Sequence, residues 1–275
     1  MAIAAPLADH LRIGMGRSAL ALALGTAGDV PAGLDALEPI LPLVTGTGAA
    51  PFLPEVGRAL GMLHLWAGDP ERAVGRLAAE AASTDGGRPT HLAVRALPPL
   101  AAAQRELGQV EAAAATAGRA VELARAREMP AVLADALTEQ ARLLADEGRD
   151  GALDLHHEAL AIRADRELRP AVVESLEALA RLGTGTPEQD VRLLAAAAAA
   201  RDALSLPGRS GERAATLRGE LGAGFEEAWR AGAALSLDDA TAYARRAAAP
   251  AAGPTTAGPA SRRPSSKSSR WRPTA

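Results

Sequence analysis

Apolar residues recur along this chain at helical spacing, and glycines interrupt them at a fixed step: Gly28, Gly68, Gly108 and Gly148, 40 residues apart. A glycine adopts positive φ without steric cost, so it ends one helix and lets the chain double back. The period predicts a repeated helix–turn–helix hairpin, which is the signature of a helical-repeat array. The stretch LPEVGRALGMLHLWAGDPERAVGRLAAEAA (53–82) shows it best. Leu60, His64 and Leu65 precede Gly68-Asp69-Pro70, and Ala73, Leu77 and Ala81 follow. Gly61 and Ala73, on either side of the turn, let the two helices touch closely, and Pro70 sits where a helix start tolerates proline.

The third repeat runs from about Thr90 to Arg127 with its turn in ELGQVEAA (106–113), and the fourth from about Pro130 to Arg169 with its turn in DEGRDGAL (146–153). Met129-Pro130 and Arg169-Pro170 each place a proline at the start of the next pair. The fifth begins AVVESLEALARL (171–182), but its turn GTGTPEQD (183–190) comes early and the period fails. LLAAAAAARDAL (193–204), GERAATLRGELG (211–222), FEEAWRAGAAL (225–235) and SLDDATAYARRA (236–247) predict further helices. In the last of these, Ser236 and Asp239 have the spacing of a capping box. Beyond Ala247 the periodicity stops, and 248–275 is a Pro, Ala, Gly, Ser and Arg segment that buries too little apolar surface to order.

Composition sharpens this. Hydrophobic residues make up 48% of the chain and aromatics only 2%, so the core must be Leu, Ala and Val. Such residues suit close-packed helices, and the few β-branched alternations argue against a sheet. The fold expected is all-α: 1–247 as a helical-repeat domain and 248–275 as a disordered basic tail. Cysteine is absent, which removes disulfides, thiolate metal sites and cysteine nucleophiles and agrees with a cytoplasmic protein. Net charge is −3, yet seven basic and no acidic residues lie from Arg245 onward, leaving −10 on the rest. An acidic body with a short basic tail is not the footprint of a nucleic-acid reader. SALALALGTAG (18–28), after Arg12 and Arg17, has the look of a signal-peptide core. Gly28 on the repeat phase makes it the first helix instead. No stretch reaches membrane-spanning length.

Candidate chemistry is thin. The only lysine is Lys267, in the tail, so the phosphate-cradling GxxxxGK[ST] motif cannot form. The GxG fragments at Gly46, Gly183 and Gly222 read as turns. His156 and His157 with Asp154 and Glu158 have a spacing metal sites use, but without HExxH or a second cluster they read as a polar helix face. His64 reads as a packed or edge histidine beside its turn, and Asp238-Asp239 as helix-start charge. Phe225 and Trp229, four apart, meet on one face and read, with Tyr243, as a plug closing the array. Arg262–Arg272 with Trp271 reads as solvated tail. No catalytic residue, metal site or cofactor site is predicted, and nothing in the pattern sets an oligomeric state.

The small–large pattern of LGMLHLWAGDPERAVGRLAAEA (60–81) resembles a tetratricopeptide repeat, stretched from about 34 residues. AVVESLEALARL, VRLLAAAAAARDALSLP and LGAGFEEAWRAGAALSLDDATAYARRA follow in an order similar to the helical C-terminal region of large bacterial LuxR-type regulators of the MalT-like, ATPase-containing group. The resemblance covers roughly 50–250. In that group a nucleotide-binding domain lies upstream and a helix-turn-helix DNA reader downstream. Here the ATPase motif is missing and no DNA-reading helix pair follows Ala247. The tail RRPSSKSSRWRPTA resembles the linker before that domain, ended early or read out of frame. The resemblance therefore implies a sensor or scaffold segment alone, as a right-handed α-α superhelix, with no nucleotide or DNA binding of its own.

In tetratricopeptide-like repeats the first helix of each pair lines the concave face. Carried onto this chain, that implies a groove of Glu55, Arg58 and Met62, then Arg95 and Arg105, then Asp135, Thr138 and Arg142. Four arginines in one groove suit a protein segment or small anionic effector with a carboxylate, which guanidinium grips in a bidentate fork. Function is expected to be non-catalytic binding in a transcriptional regulator, without membrane or direct nucleic-acid contact. A stand-alone scaffold, or a helical enzyme with a site assembled across repeats, are the rival expectations.

Overall fold

Side chains that cap helices mark the starts of several elements. In the computed structural model of the chain, which describes residues 4–42, 55–183, 185–207 and 211–247, Asp29 Oδ1 accepts from Ala32 N at 3.0 Å, Asp69 Oδ1 from Arg72 N at 3.1 Å and Thr90 Oγ1 from Ala93 N at 3.0 Å. Each satisfies a backbone donor that the first helical turn leaves without a partner. Thr186 and Gln189 form a full capping box. Ser236 Oγ accepts from Asp239 N and bonds the Asp239 carboxylate.

Thirteen α-helices result among the described residues: α1 (Ala4–Thr26), α2 (Val30–Leu37), α3 (Val56–Trp66), α4 (Pro70–Ala81), α5 (His91–Glu106), α6 (Val110–Ala126), α7 (Pro130–Asp146), α8 (Ala152–Asp165), α9 (Arg169–Leu182), α10 (Pro187–Ala203), α11 (Gly211–Leu221), α12 (Gly224–Ala233) and α13 (Leu237–Ala247). The one sheet among them is a two-residue antiparallel ribbon, β1 (Thr84–Asp85) with β2 (Arg88–Pro89), turning at Gly86-Gly87 between α4 and α5. The chain is thus mostly helical, as its pattern predicts. The expected tail 248–275, and with it Lys267 and Trp271, lies outside the described residues, as does Gly46.

All four periodic glycines have positive φ, from 64° at Gly148 to 93° at Gly28. At each, the next residue's N–H reaches back to the carbonyl five positions earlier, for example Asp69 N to His64 O at 2.9 Å. That closes the helix and uses a carbonyl the helix itself cannot. The same hydrogen bonds recur at Glu128 and Glu167, with φ of 53° and 55°, so two turns between hairpins put glutamate in the left-handed region. The prolines at 130 and 170 mark where these turns fall, but the residue type does not announce their left-handed backbone.

From α1 to α10 each helix packs on the next, and α1–α3, α3–α5 and α5–α7 also touch, so the first helices of the first four pairs form a row. Small residues permit the approach: a Cβ on Gly61 would overlap the Leu77 side chain, and one on Gly232 would strike the Arg192 backbone. One core cluster, with Leu77, Leu97, Leu100 and Leu137, spans α4–α8. A second, with Leu160, Leu176, Leu179, Leu193, Leu194, Leu217 and Phe225, spans α8–α13. Each fully buried leucine contributes about 1.5–3 kcal/mol relative to exposure. Phe225 and Trp229 stack at 5.5 Å on α12 and pack into the second cluster, with Arg218 over the Phe225 ring.

The row does not stay open. Thr26 and Trp66, at the ends of α1 and α3, share a small cavity with Pro170, Glu174, Arg201 and Leu206. A Cβ on Gly28 would lie 3.5 Å from the Pro207 ring. The first and fifth hairpins therefore meet.

Candidate functional site

Residues three and four apart on a helix share a face, and α3, α5, α7 and α9 each turn such a face to one cavity of about 330 Å³. Arg58, Met62, Leu65 and Trp66 come from α3, and Arg95, Pro98, Pro99 and Ala102 from α5. Asp135, Thr138, Glu139 and Arg142 come from α7, and Pro170, Ala171 and Glu174 from the start of α9. Arg163 enters from α8 and Thr26 from the end of α1. Pro98 and Pro99 lie inside α5. They present two rings to the cavity and supply no N–H to the carbonyls of Val94 and Arg95.

The charged lining is paired, not bare. Glu55, at the start of α3 just behind the wall, accepts from Arg58 Nε at 2.8 Å and from Arg95 Nη1 at 2.6 Å. Arg58 Nη1 rests on Met62 Sδ at 3.0 Å. Arg142 Nη1 donates to Glu139 Oε1 at 2.5 Å, and Arg105 reaches Glu139 from outside the lining at 3.5 Å. Arg163, 3% exposed, donates to Asp135 Oδ1 and to Ser175 Oγ, each at 2.8 Å, while its Nε has no hydrogen-bond partner. Thr138 Oγ1 donates to the Ala134 carbonyl at 2.9 Å. Burial alone would lower the Arg142 pKa, but Glu139, Glu174 and Asp135 outweigh it and hold the guanidinium above its ordinary value.

Six of the eight groove residues implied by the resemblance line this cavity: Arg58, Met62, Arg95, Asp135, Thr138 and Arg142. Glu55 stands behind them as the anchor of two arginines. Arg105 is placed elsewhere, bridging Glu139 and Asp146 at 3.5 and 3.3 Å. The arginines expected from the sequence in one groove are engaged in ion pairs. Periodicity shows which face a side chain occupies but not which carboxylate grips it. Trp66, Arg163 and Glu174 were missed: Trp66 sits at a turn, Arg163 on a second helix and Glu174 in the hairpin that closes the array.

The other histidines resolve separately. His156 is 2% exposed, which corrects its reading as part of a polar face. Burial pushes its pKa down to about 3, helped by Arg142, Arg163 and Arg181. Asp154 and Glu158 do face out, and Glu158 pairs with Arg125 at 3.0 Å. His64 lies on a second cavity of about 270 Å³ with Asp35, Glu38 and Arg76, and burial lowers its pKa. Among the described residues no group of three or more His, Asp or Glu is placed to hold a metal ion, and no helix is long and apolar enough to cross a membrane. The cavity offers hydrogen bonds, paired charges and an apolar floor, which is equipment for holding a ligand. Compared with models of known protein families and with curated proteins, the chain shows no match.

Proposed function

We propose that this chain is a non-catalytic binding module. Its helix pairs would be wound as a right-handed superhelix, and its ligand, a protein segment or small effector with a carboxylate, would sit in the α3–α5–α7–α9 cavity. The observation that carries the reading is convergence: Arg58, Arg95, Arg142 and Arg163 from four helices meet around Trp66, Met62 and Leu65 in one space. Its volume, about 330 Å³, falls in the range of small-ligand sites, roughly 300–1,000 Å³. The further reading, as the sensor segment of a LuxR-type transcriptional regulator, rests on the resemblance of residues 171–247 and on the repeat character of what precedes them.

The test is retention of ligand. Protein purified under native conditions is expected to carry a co-purifying small molecule or partner that an Arg58→Gln, Arg95→Gln, Arg142→Gln variant loses. Because Glu55 and Glu139 are buried and would lose their partners, Arg95→Gln alone serves as the gentler variant, its side chain being 43% exposed. Circular dichroism checks that both stay folded. Equal recovery of the bound species by both folded variants would overturn the cavity as the site.

A further inference from the structure

The charges around the cavity are unevenly shared between its walls. On the α3–α5 wall, Arg58 and Arg95 hold a single carboxylate, Glu55, and both have donors to spare. Arg58 Nη1 rests on the Met62 thioether, a weak acceptor that a carboxylate would displace. Arg95 makes its one hydrogen bond to Glu55, and the rest of its fork is open. Glu80, off the lining, has its carboxyl pushed up by burial and by Glu55 and held back by Arg58. On the α7–α9 wall the balance reverses. Among the lining residues Asp135, Glu139 and Glu174 face Arg142 and Arg163, and Arg105 reaches Glu139 from outside the lining. Asp135 uses Oδ1 on Arg163 and its side chain is 56% exposed. Glu174 makes no hydrogen bond or ion pair among the described residues.

A cavity with a positive wall, a negative wall and an apolar floor between them selects against simple anions. A phosphate or dicarboxylate would gain at Arg58 and Arg95 and be repelled at Glu174 and Asp135. A neutral apolar molecule would leave both walls with uncompensated charge away from water. We infer that the ligand is a zwitterion of the short-peptide class, two or three residues long, with free termini and an apolar side chain. This rests on the cavity being the binding site. The carboxylate would lie in the fork of Arg95 and Arg58, and the ammonium against Glu174 and Asp135. The side chain would lie on Trp66, Leu65 and the Pro98–Pro99 rings. An extended peptide advances about 3.5 Å per residue, so two residues hold opposite charges several ångströms apart, which lets them reach different walls.

Titration calorimetry with leucyl-leucine tests this, set against N-acetyl-leucyl-leucine, which lacks the ammonium, and leucyl-leucine amide, which lacks the carboxylate. The dipeptide is expected to bind saturably, and each capped form at least tenfold more weakly. Arg95→Gln should weaken the dipeptide about tenfold and leave the amide unchanged. Glu174→Gln should weaken the dipeptide and leave the acetylated form unchanged. Absence of saturable dipeptide binding, equal binding of all three, or variants that weaken all three alike would each overturn the inference. Should these fail while Arg95→Gln still loses the co-purifying species, the ligand class falls and the cavity stands as the site. Should Arg95→Gln retain that species in full, the cavity reading itself falls.

Discussion

Gly68 shows what a single residue sets. It has a φ of 76° and nothing within 4 Å of where a Cβ would stand, so the cost of a side chain there is purely conformational. Gly68→Val is expected to destabilise the protein by about 1–2 kcal/mol, the price of left-handed backbone for an L-residue, read as a shift of the urea midpoint. His156 gives a pH signature. Its folded pKa of about 3 lies below the ordinary 6.5, so between these values the unfolded chain binds a proton that the folded chain refuses. The stabilising contribution is complete above pH 6.5 and shrinks by about 1.4 kcal/mol for each unit of fall. Glu80 and Glu106, whose pKa values are raised by burial, slope the opposite way, so the clean measurement is a difference. His156→Leu should flatten the stability profile between pH 6 and 4 relative to the unsubstituted protein, and parallel profiles would contradict the assignment. Turns at glycine were legible in the sequence because glycine is the default for positive φ. Those at Glu128 and Glu167 were legible only through the prolines that follow them, because glutamate gives no sign of a positive φ.

Between elements, the decisive quantity is how closely helices approach. Gly232 of α12 faces the α10 backbone, where an added Cβ would come within 2.6 Å of Arg192 Cα and 2.8 Å of its carbonyl carbon. Backbone cannot rotate aside, so the helices must separate. Gly232→Ala should cost about 1–3 kcal/mol in denaturant unfolding, despite alanine's better helix propensity. A neutral or stabilising outcome would show that α12 is not held this tightly. The sequence made helices and their inward faces readable, since leucine and alanine spacing dictates both. It could not show that α10 and α12 touch across the intervening α11, because contacts between non-neighbouring helices leave no local pattern. For the same reason Arg58, Arg95 and Arg142 were expected in one groove without Glu55 and Glu139 being recognised as their partners, and the Arg163–Asp135 pair was not foreseen.

At the scale of the molecule, Glu177 and Arg201 join α9 to α10 through two buried hydrogen bonds, one of 2.9 Å from Nη2 to Oε2, and Arg201 Nη1 also holds the Pro207 carbonyl at 3.0 Å. Removing the arginine leaves a carboxylate that is 1% exposed with Arg181, at 3.5 Å, as its remaining partner. Arg201→Met is expected to lose about 3–5 kcal/mol, and adding Glu177→Leu to recover much of that, since a buried pair replaced by apolar groups is often tolerated. A thermal melt of the two variants would separate these outcomes, and a double variant no better than the single would refute the account.

The segment Arg201 fastens is the one that touches Gly28. A linear stack of repeats has two loose ends, and it melts inward from whichever is weaker, one unit at a time. Here the first unit leans on the fifth, so fraying at the start must also uncover α9 and α10. Cutting away the N-terminal hairpin should therefore lower protection from hydrogen exchange not only in its immediate neighbour α3 but also at the start of α9 and the end of α10, far along the chain. The protein would then respond to heat as one body, with calorimetric and van't Hoff enthalpies in agreement. A row whose first hairpin touches its fifth is braced at a point that a straight stack leaves free.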